Sequence, residues 1–174
     1  MDVSNNLVNS IDILKQFKSL RVIKARKCFI IDVNLNLPKL EVLDLWGNYI
    51  MRFPTLSEMN RLHTLILANN KIVEFKQFNV ELCPAISHLD ISENPTLKFP
   101  VKRDFLILLN KLKKMKLTIL NIDAENINQY NGIEELVKLL PNLEKLNGDR
   151  KDMVQKKVQR VKKHDADNKI LLTT

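Results

Sequence analysis

The side chains able to do acid–base or nucleophilic chemistry are few in this chain: three histidines (His63, His88 and His164) and two cysteines (Cys28 and Cys83). His88 and Asp90 stand two apart, so on a strand they would share one face and could form an imidazole–carboxylate pair. No Ser or Cys nucleophile accompanies them by spacing. The motifs HExxH, GxGxxG, GxxxxGK[ST] and CxxC do not occur, which removes the common zinc-hydrolase, dinucleotide, phosphate-loop and dithiol chemistries. The sequence predicts a protein that is not an enzyme, with no catalytic residues, no cofactor and no metal site.

Binding chemistry has more support. Lys and Arg number 28 against 20 Asp and Glu, a net charge of +8, which suits nucleic acid, an anionic surface or an acidic protein. Half of that excess lies in residues 149–174, with eight basic and four acidic side chains. There Lys156, Lys157, Arg160, Lys162 and Lys163 surround a narrow apolar line, Val154, Val158 and Val161, at helical spacing. The spacing predicts a helix to about Lys163 followed by a frayed end. This tail has no aromatic residue to stack on bases, so it suits RNA or ribonucleoprotein contact through a partner better than direct reading of RNA.

Length and composition set outer bounds. A chain of 174 residues, 45% hydrophobic, holds about one domain. The longest apolar run, Phe105 to Leu109, is five residues against the ~20 needed to cross a bilayer, so no membrane insertion is expected. Met1 to Asn6 lacks the basic start and apolar stretch of a signal peptide. Two cysteines do not make a secreted framework, and reduced thiols inside the cell, nuclear or cytoplasmic, are the better reading.

The elements that must position these groups come from an internal repeat. The template L-x-x-L-x-L-x-x-N/C-x-L fits Leu40, Leu43, Leu45, Asn48 and Ile50, and again Leu62, Leu65, Leu67, Asn70 and Ile72. Looser copies are Leu20, Ile23, Ala25, Cys28 and Ile30, then Ile86, Leu89, Ile91 and Asn94, then Leu117, Leu120, Ile122 and Ile127 with Glu125 in place of Asn. Five matches in series identify a leucine-rich-repeat solenoid. The expected class is α/β, with parallel strands on the concave face, short helices and loops on the convex face, and a C-terminal cap. Each Asn turns the chain and can satisfy backbone groups that no strand reaches.

Both ends depart from the repeat. Met1, Val3, Asn6 and Val8 read as the second half of a repeat whose beginning is missing, so either the chain is a truncation or a partner covers that edge. A monomer is expected unless the edge pairs. Phe105, Leu108, Leu112 and Met115 predict a convex helix after Pro100 whose outer face carries Lys102, Arg103, Lys111, Lys113 and Lys114. Ile133, Leu136, Val137 and Leu140 predict a closing helix. The organisation is then a repeat domain at 1–148 (a partial repeat at 1–19, five repeats from 20, a cap at 128–148) and a basic helical tail at 149–174.

Repeat proteins bind on the strand-lined surface, and the outward positions follow from the template. They give a graded face: Lys24, Arg26 and Lys27 at one end, Asp44, Trp46 and Ile66 in the middle, His88, Asp90 and Asp123 at the other. Trp46, the only tryptophan, is the natural anchor for a protein partner, since aromatic and Arg side chains dominate interface energetics.

Leu82-Cys83-Pro84-Ala85-Ile86-Ser87-His88-Leu89-Asp90-Ile91-Ser92-Glu93-Asn94 carries a family resemblance. So do Asn128-Gln129-Tyr130 and Leu139-Leu140-Pro141-Asn142-Leu143-Glu144-Lys145-Leu146-Asn147-Gly148-Asp149. The chain resembles intracellular leucine-rich-repeat proteins of the ~22-residue, phosphatase-regulator-like subtype. Its last repeat and cap look most like the acidic leucine-rich nuclear phosphoprotein 32 family. That family continues into a long acidic tail where this chain has a basic one. The resemblance implies a non-catalytic regulator or scaffold that binds a protein partner. The alternatives it leaves open are a ribonucleoprotein component similar to the spliceosomal A-prime protein, a phosphatase regulator, and a dynein-associated leucine-rich light chain.

Overall fold

The computed structural model describes the backbone of residues 1–171 and the side chains of residues 1–164. In chain order the strands are β1 (Val22–Lys24), β2 (Asn34–Leu35), β3 (Val42–Asp44), β4 (Thr55–Leu56), β5 (Thr64–Ile66) and β6 (His88–Asp90). Then come α1 (Lys102–Lys113), β7 (Ile119–Asn121), α2 (Ala124–Ile127), α3 (Gly132–Leu139), β8 (Lys145–Leu146), β9 (Asp149–Arg150) and α4 (Lys151–Leu171). Strands β1, β3, β5, β6, β7 and β8 pair in parallel, one per repeat, and β9 closes the sheet antiparallel to β8. On the opposite side β2 and β4 form a short parallel pair. This is the α/β leucine-rich-repeat solenoid that the repeats predict.

The repeat explains the strands. Ile23, Leu43, Leu65, Leu89 and Leu120 stand in register across the sheet and are fully buried. Their neighbours on either side point to the open face, as strand pleating requires. Behind the leucines lies an aromatic spine built on Phe53, Phe75 and Phe99, each five residues after the Asn of its repeat, with Phe78 and Phe105 packed against it. Phe53 and Phe75 meet at 4.5 Å, Phe53 and Phe78 at 5.0 Å, and Phe99 and Phe105 at 6.0 Å. Such edge and tilted ring contacts add about 0.5–1.5 kcal/mol each beyond their burial.

Asparagines tie repeat to repeat. Asn70 donates from Nδ2 to the carbonyls of Leu45 (3.0 Å) and Leu67 (3.1 Å), and its Oδ1 accepts the amide of Ile50 (3.0 Å). Asn48 and Asn94 make the same three links. Cys28 fills the rung before them with a weaker Sγ contact to the carbonyl of Val3 at 3.4 Å. The residue ahead of each rung is left-handed: Asn5, Lys27, Gly47, Asn69 and Glu93 have φ of 59°, 48°, 71°, 54° and 54°.

The ladder stops at the fifth repeat, where α2 replaces the turn. There Asp123 takes over, accepting the amides of Glu93 (2.8 Å) and Asn94 (3.1 Å). Helix α1 is the convex helix expected from its stripe, with Phe105, Leu108, Leu109 and Leu112 buried. Lys111 on its outer side reaches back to the carbonyls of Lys76 (2.8 Å) and Phe78 (2.5 Å).

The two ends are finished differently. Met1 to Asn5 lie alongside β1, with the amides of Val3 and Asn5 donating to the carbonyls of Lys24 and Arg26 at 2.8 Å. Phe17 occupies the repeat position of Leu37 and Met59, which are fully buried, but is itself 49% exposed. At the other end the tail does not begin where composition shifts. Asn147 and Gly148, at φ 52° and 81°, turn the chain so that β9 pairs with β8, and Val154 of α4 joins the core at 6% exposure. The cap therefore extends past 148 into the tail. Helix is assigned beyond Lys163, through Leu171, and the remainder of the expected frayed end, residues 172–174, lies outside the described residues.

Candidate protein-interaction face

Strand register sorts the open face into three rows. The first is Val22, Val42, Thr64, His88, Ile119 and Lys145; the second is Lys24, Asp44, Ile66, Asp90 and Asn121. The third, Arg26, Trp46, Ala68 and Ser92, follows from amide rungs such as Lys27 to Trp46 (2.9 Å) and Gly47 to Ala68 (3.0 Å). Eight of the nine residues singled out by sequence lie within these rows or next to them, and Asp123 sits at the end of the third.

They do not play equal parts. Trp46 is partly exposed, and the ammonium of Lys27 lies 5.1 Å from the centre of its ring, a cation–π geometry. The left-handed backbone at Lys27 sends its side chain back over the indole. Arg26 donates from Nε to Asp44 Oδ2 at 2.6 Å, and this bond, with the charge of Asp44, raises the guanidinium's pKa further. Asp44 itself is only 2% exposed, so it anchors Arg26 and is not open to a partner. The sequence placed it on the accessible face because alternation gives direction, not depth.

The acidic end is also committed within the chain. Asp90 Oδ1 accepts the Ser92 hydroxyl (2.6 Å) and amide (3.1 Å), while Oδ2 accepts Asn121 Nδ2 (2.9 Å). Asp123 is spent on the amides of Glu93 and Asn94. His88 is half-buried, and desolvation holds its imidazole below the ordinary range, partly offset by Asp90 and reinforced by His63. What remains open is Lys24, Lys27, Trp46, Ile66 and the edge of His88: a cationic and apolar strip without a free carboxylate at its centre.

Neither thiol adds chemistry. Both are free and buried, and burial pushes Cys83 up to about 12, where almost no thiolate exists near neutral pH. Among the described residues no group of His, Cys, Asp and Glu is placed to hold a metal ion, and no helix is long and apolar enough to cross a membrane.

The tail residues divide in two. Lys157 pairs with Asp149 and Lys162 with Glu134, at 2.6 and 2.7 Å, which fastens α4 to the cap. Lys156, Arg160 and Lys163, at i, i+4 and i+7, point away from the buried Val154 and have no ion pair among the described residues. Sequence inspection missed one surface altogether: a patch of apolar side chains on the flank where the asparagine turns leave the sheet.

These features define a leucine-rich-repeat solenoid with a cationic and apolar strip on its strand-lined face. No family model matches the sequence. Among solved structures, the chain is similar to one in the crystal structure of the Drosophila melanogaster SNF/U2A' complex, at 17% identity and a TM-score of 0.48 over 89% of this chain and 78% of that one.

Proposed function

We propose that the protein is a non-catalytic interaction module that grips a segment of a protein partner across its strand-lined face, with Trp46 as the anchor. The observation that carries this is the Lys27–Trp46 pair: a partly exposed indole held under an ammonium 5.1 Å away, beside Ile66 and Lys24. Such an ordered aromatic and cationic patch costs little further side-chain entropy on binding. The last repeat and cap favour a regulator or scaffold of the nuclear phosphoprotein 32 type, and two buried free thiols suit a nuclear or cytoplasmic setting.

Affinity capture from native lysate with the full chain and with Trp46→Ala tests the reading. A partner should be retained by the first and lost from the second, while the circular-dichroism melt stays nearly unchanged. A melt that collapses would make Trp46 a core residue and end the proposal.

A second reading is favoured by the stripe of Lys156, Arg160 and Lys163 on α4, without an ion pair among the described residues, which suits a phosphate backbone in a ribonucleoprotein. Because Lys151 and Val154 belong to the cap, deleting the tail would disturb the fold. The test is therefore the triple charge reversal of the stripe. Binding of a 20-nucleotide oligouridine probe should fall steeply with salt and disappear in the variant. A binding constant indifferent to salt would exclude this role.

A further inference from the structure

On the flank of the solenoid, immediately after each asparagine turn, two rows of side chains run from repeat to repeat. The residue following the rung is Phe29, Tyr49 and Lys71 in turn; two places further on it is Ile31, Met51 and Val73. Between the rows Ile30, Ile50 and Ile72 are fully buried. Cross-repeat bonds hold the rows in line: Tyr49 to Ile30 and Lys71 to Ile50 at 2.9 Å, and Val73 to Met51 at 3.2 Å. The five apolar members are each 42% to 58% exposed, and the rings of Phe29 and Tyr49 stack at 5.8 Å with 14° between planes. Single exposed apolar residues are normal on a surface, but a contiguous group marks a binding site.

Its dimensions and charge indicate the occupant. Three repeats span two strand spacings, roughly 10 Å, which is about two turns of an α-helix. An apolar stripe at i, i+3 or i+4, and i+7 would seat between the rows. Lys71 is the only charged residue lining the patch among the described residues, and Arg52 follows Met51 at its border. Neither has an ion pair or side-chain hydrogen bond among the described residues. Asp32 and Glu74 hold the same border position as Arg52 in the neighbouring repeats; Asp32 accepts the amide of Val33 at 3.0 Å, and Glu74 accepts from Gln77 at 3.4 Å and faces Lys76 at 4.0 Å. The flank therefore offers apolar surface with an unpaired cation, Lys71, set within it and a border of mixed sign.

We propose that this flank is a second docking surface, separate from the strand-lined face, for an amphipathic helix of a partner protein whose apolar stripe is bordered by Asp or Glu. The apolar rows bury the stripe, and Lys71 meets a carboxylate at its edge.

Selection of a phage-displayed library of helical peptides against the full chain tests this. Enriched peptides should carry the i, i+3/i+4, i+7 apolar stripe with acidic flanks. By fluorescence anisotropy their affinity should fall at least tenfold with Met51→Glu and severalfold with Lys71→Glu. Peptides whose acids are changed to Lys should regain binding to the Lys71→Glu protein. Trp46→Ala should leave binding intact, and melts should show that the exposed substitutions do not unfold the chain.

Enrichment without acidic flanks, indifference to Met51→Glu, or loss with Trp46→Ala would overturn the proposal. So would a concentration-dependent dimer in sedimentation velocity that Met51→Glu abolishes, which would assign the face to a second copy. Binding to phosphatidylserine vesicles that depends on Met51 would likewise assign it to a lipid surface.

Discussion

Arg26 and Asp44, on neighbouring repeats, form an ion pair across the open face, with Nε 2.6 Å from a carboxylate oxygen that is 2% exposed. Oδ1 of the same Asp44 accepts the amide of Trp46 at 3.3 Å. One carboxylate thus orients both the arginine and the backbone that presents the indole. Asp44→Ala frees Arg26 and leaves that amide without its acceptor. A charged hydrogen bond is worth about 1.5–3 kcal/mol, and Arg26 is half in solvent, so the loss should be near 2 kcal/mol. Urea unfolding measures it, and an unchanged midpoint would show that the pair contributes nothing.

The asparagine ladder makes a sharper prediction because its two kinds of rung differ chemically. Asn70→Ala removes donors to two buried carbonyls and leaves the amide of buried Ile50 without an acceptor. The carbonyls of Leu45 and Leu67 keep the side-chain amides of Asn48 (2.9 Å) and Asn94 (3.0 Å), so the Ile50 amide is the group orphaned, and a loss of about 2–3 kcal/mol is expected. Cys28→Asn should act oppositely. At this rung Sγ makes only long contacts, 3.4 and 3.5 Å, to Val3 and Arg26. An amide there would add real donors, with a gain of about 1 kcal/mol, or roughly 2–4 °C in a calorimetric Tm. A lower Tm for Cys28→Asn would mean that the site has room only for sulfur.

Repeats were legible because a solenoid writes its core into one template: leucine spacing gave the strands, and Asn gave the turns. The outward positions were legible for the same reason. Their depth was not, since Asp44 is buried by Arg26 of the adjacent repeat, and no spacing within a repeat contains that contact. The apolar flank escaped because its rows step from Phe29 to Tyr49 and from Ile31 through Met51 to Val73, a period neither of strand nor of helix. The extended cap had a usable signal in Asn147-Gly148, a dipeptide that favours tight hairpins. Composition drew the boundary instead, because charge changes there while packing does not.

Gly132 opens α3 in a space that admits no side chain. A Cβ there would stand 2.6 Å from both the Cβ and the carbonyl oxygen of Ile127. Because the clash includes backbone, the helix would have to shift, and with it Leu136 and Val137 in the core. Gly132→Ala should cost about 1–3 kcal/mol, the usual range for overpacking, despite the higher helix propensity of Ala. Gly47 gives a useful contrast. Its strain is conformational, at φ 71°, with the nearest side-chain atom 3.3 Å away on flexible Lys27. Gly47→Ala should cost about 1 kcal/mol. Equal and negligible effects in thermal unfolding would contradict both accounts.

His88 couples stability to pH. Desolvation, the largest influence, lowers its pKa in the folded chain; Asp90 opposes the shift and His63 adds to it. Unfolded, the imidazole takes up a proton near its ordinary value of about 6.5. Between that value and the lower folded one, the unfolded state holds more protons, so stability rises with pH across this window. The contribution is complete above about pH 6.5 and is lost as pH falls toward the folded pKa. His88→Asn cannot titrate. The difference in urea midpoint between wild type and variant should therefore be constant above pH 7 and should shrink, or change sign, by pH 5.5. His63 and His164 are common to both proteins and cancel to first order. A difference that stays flat through this range would show that the folded imidazole is protonated as readily as the unfolded one, and that it sits in water and not against the sheet.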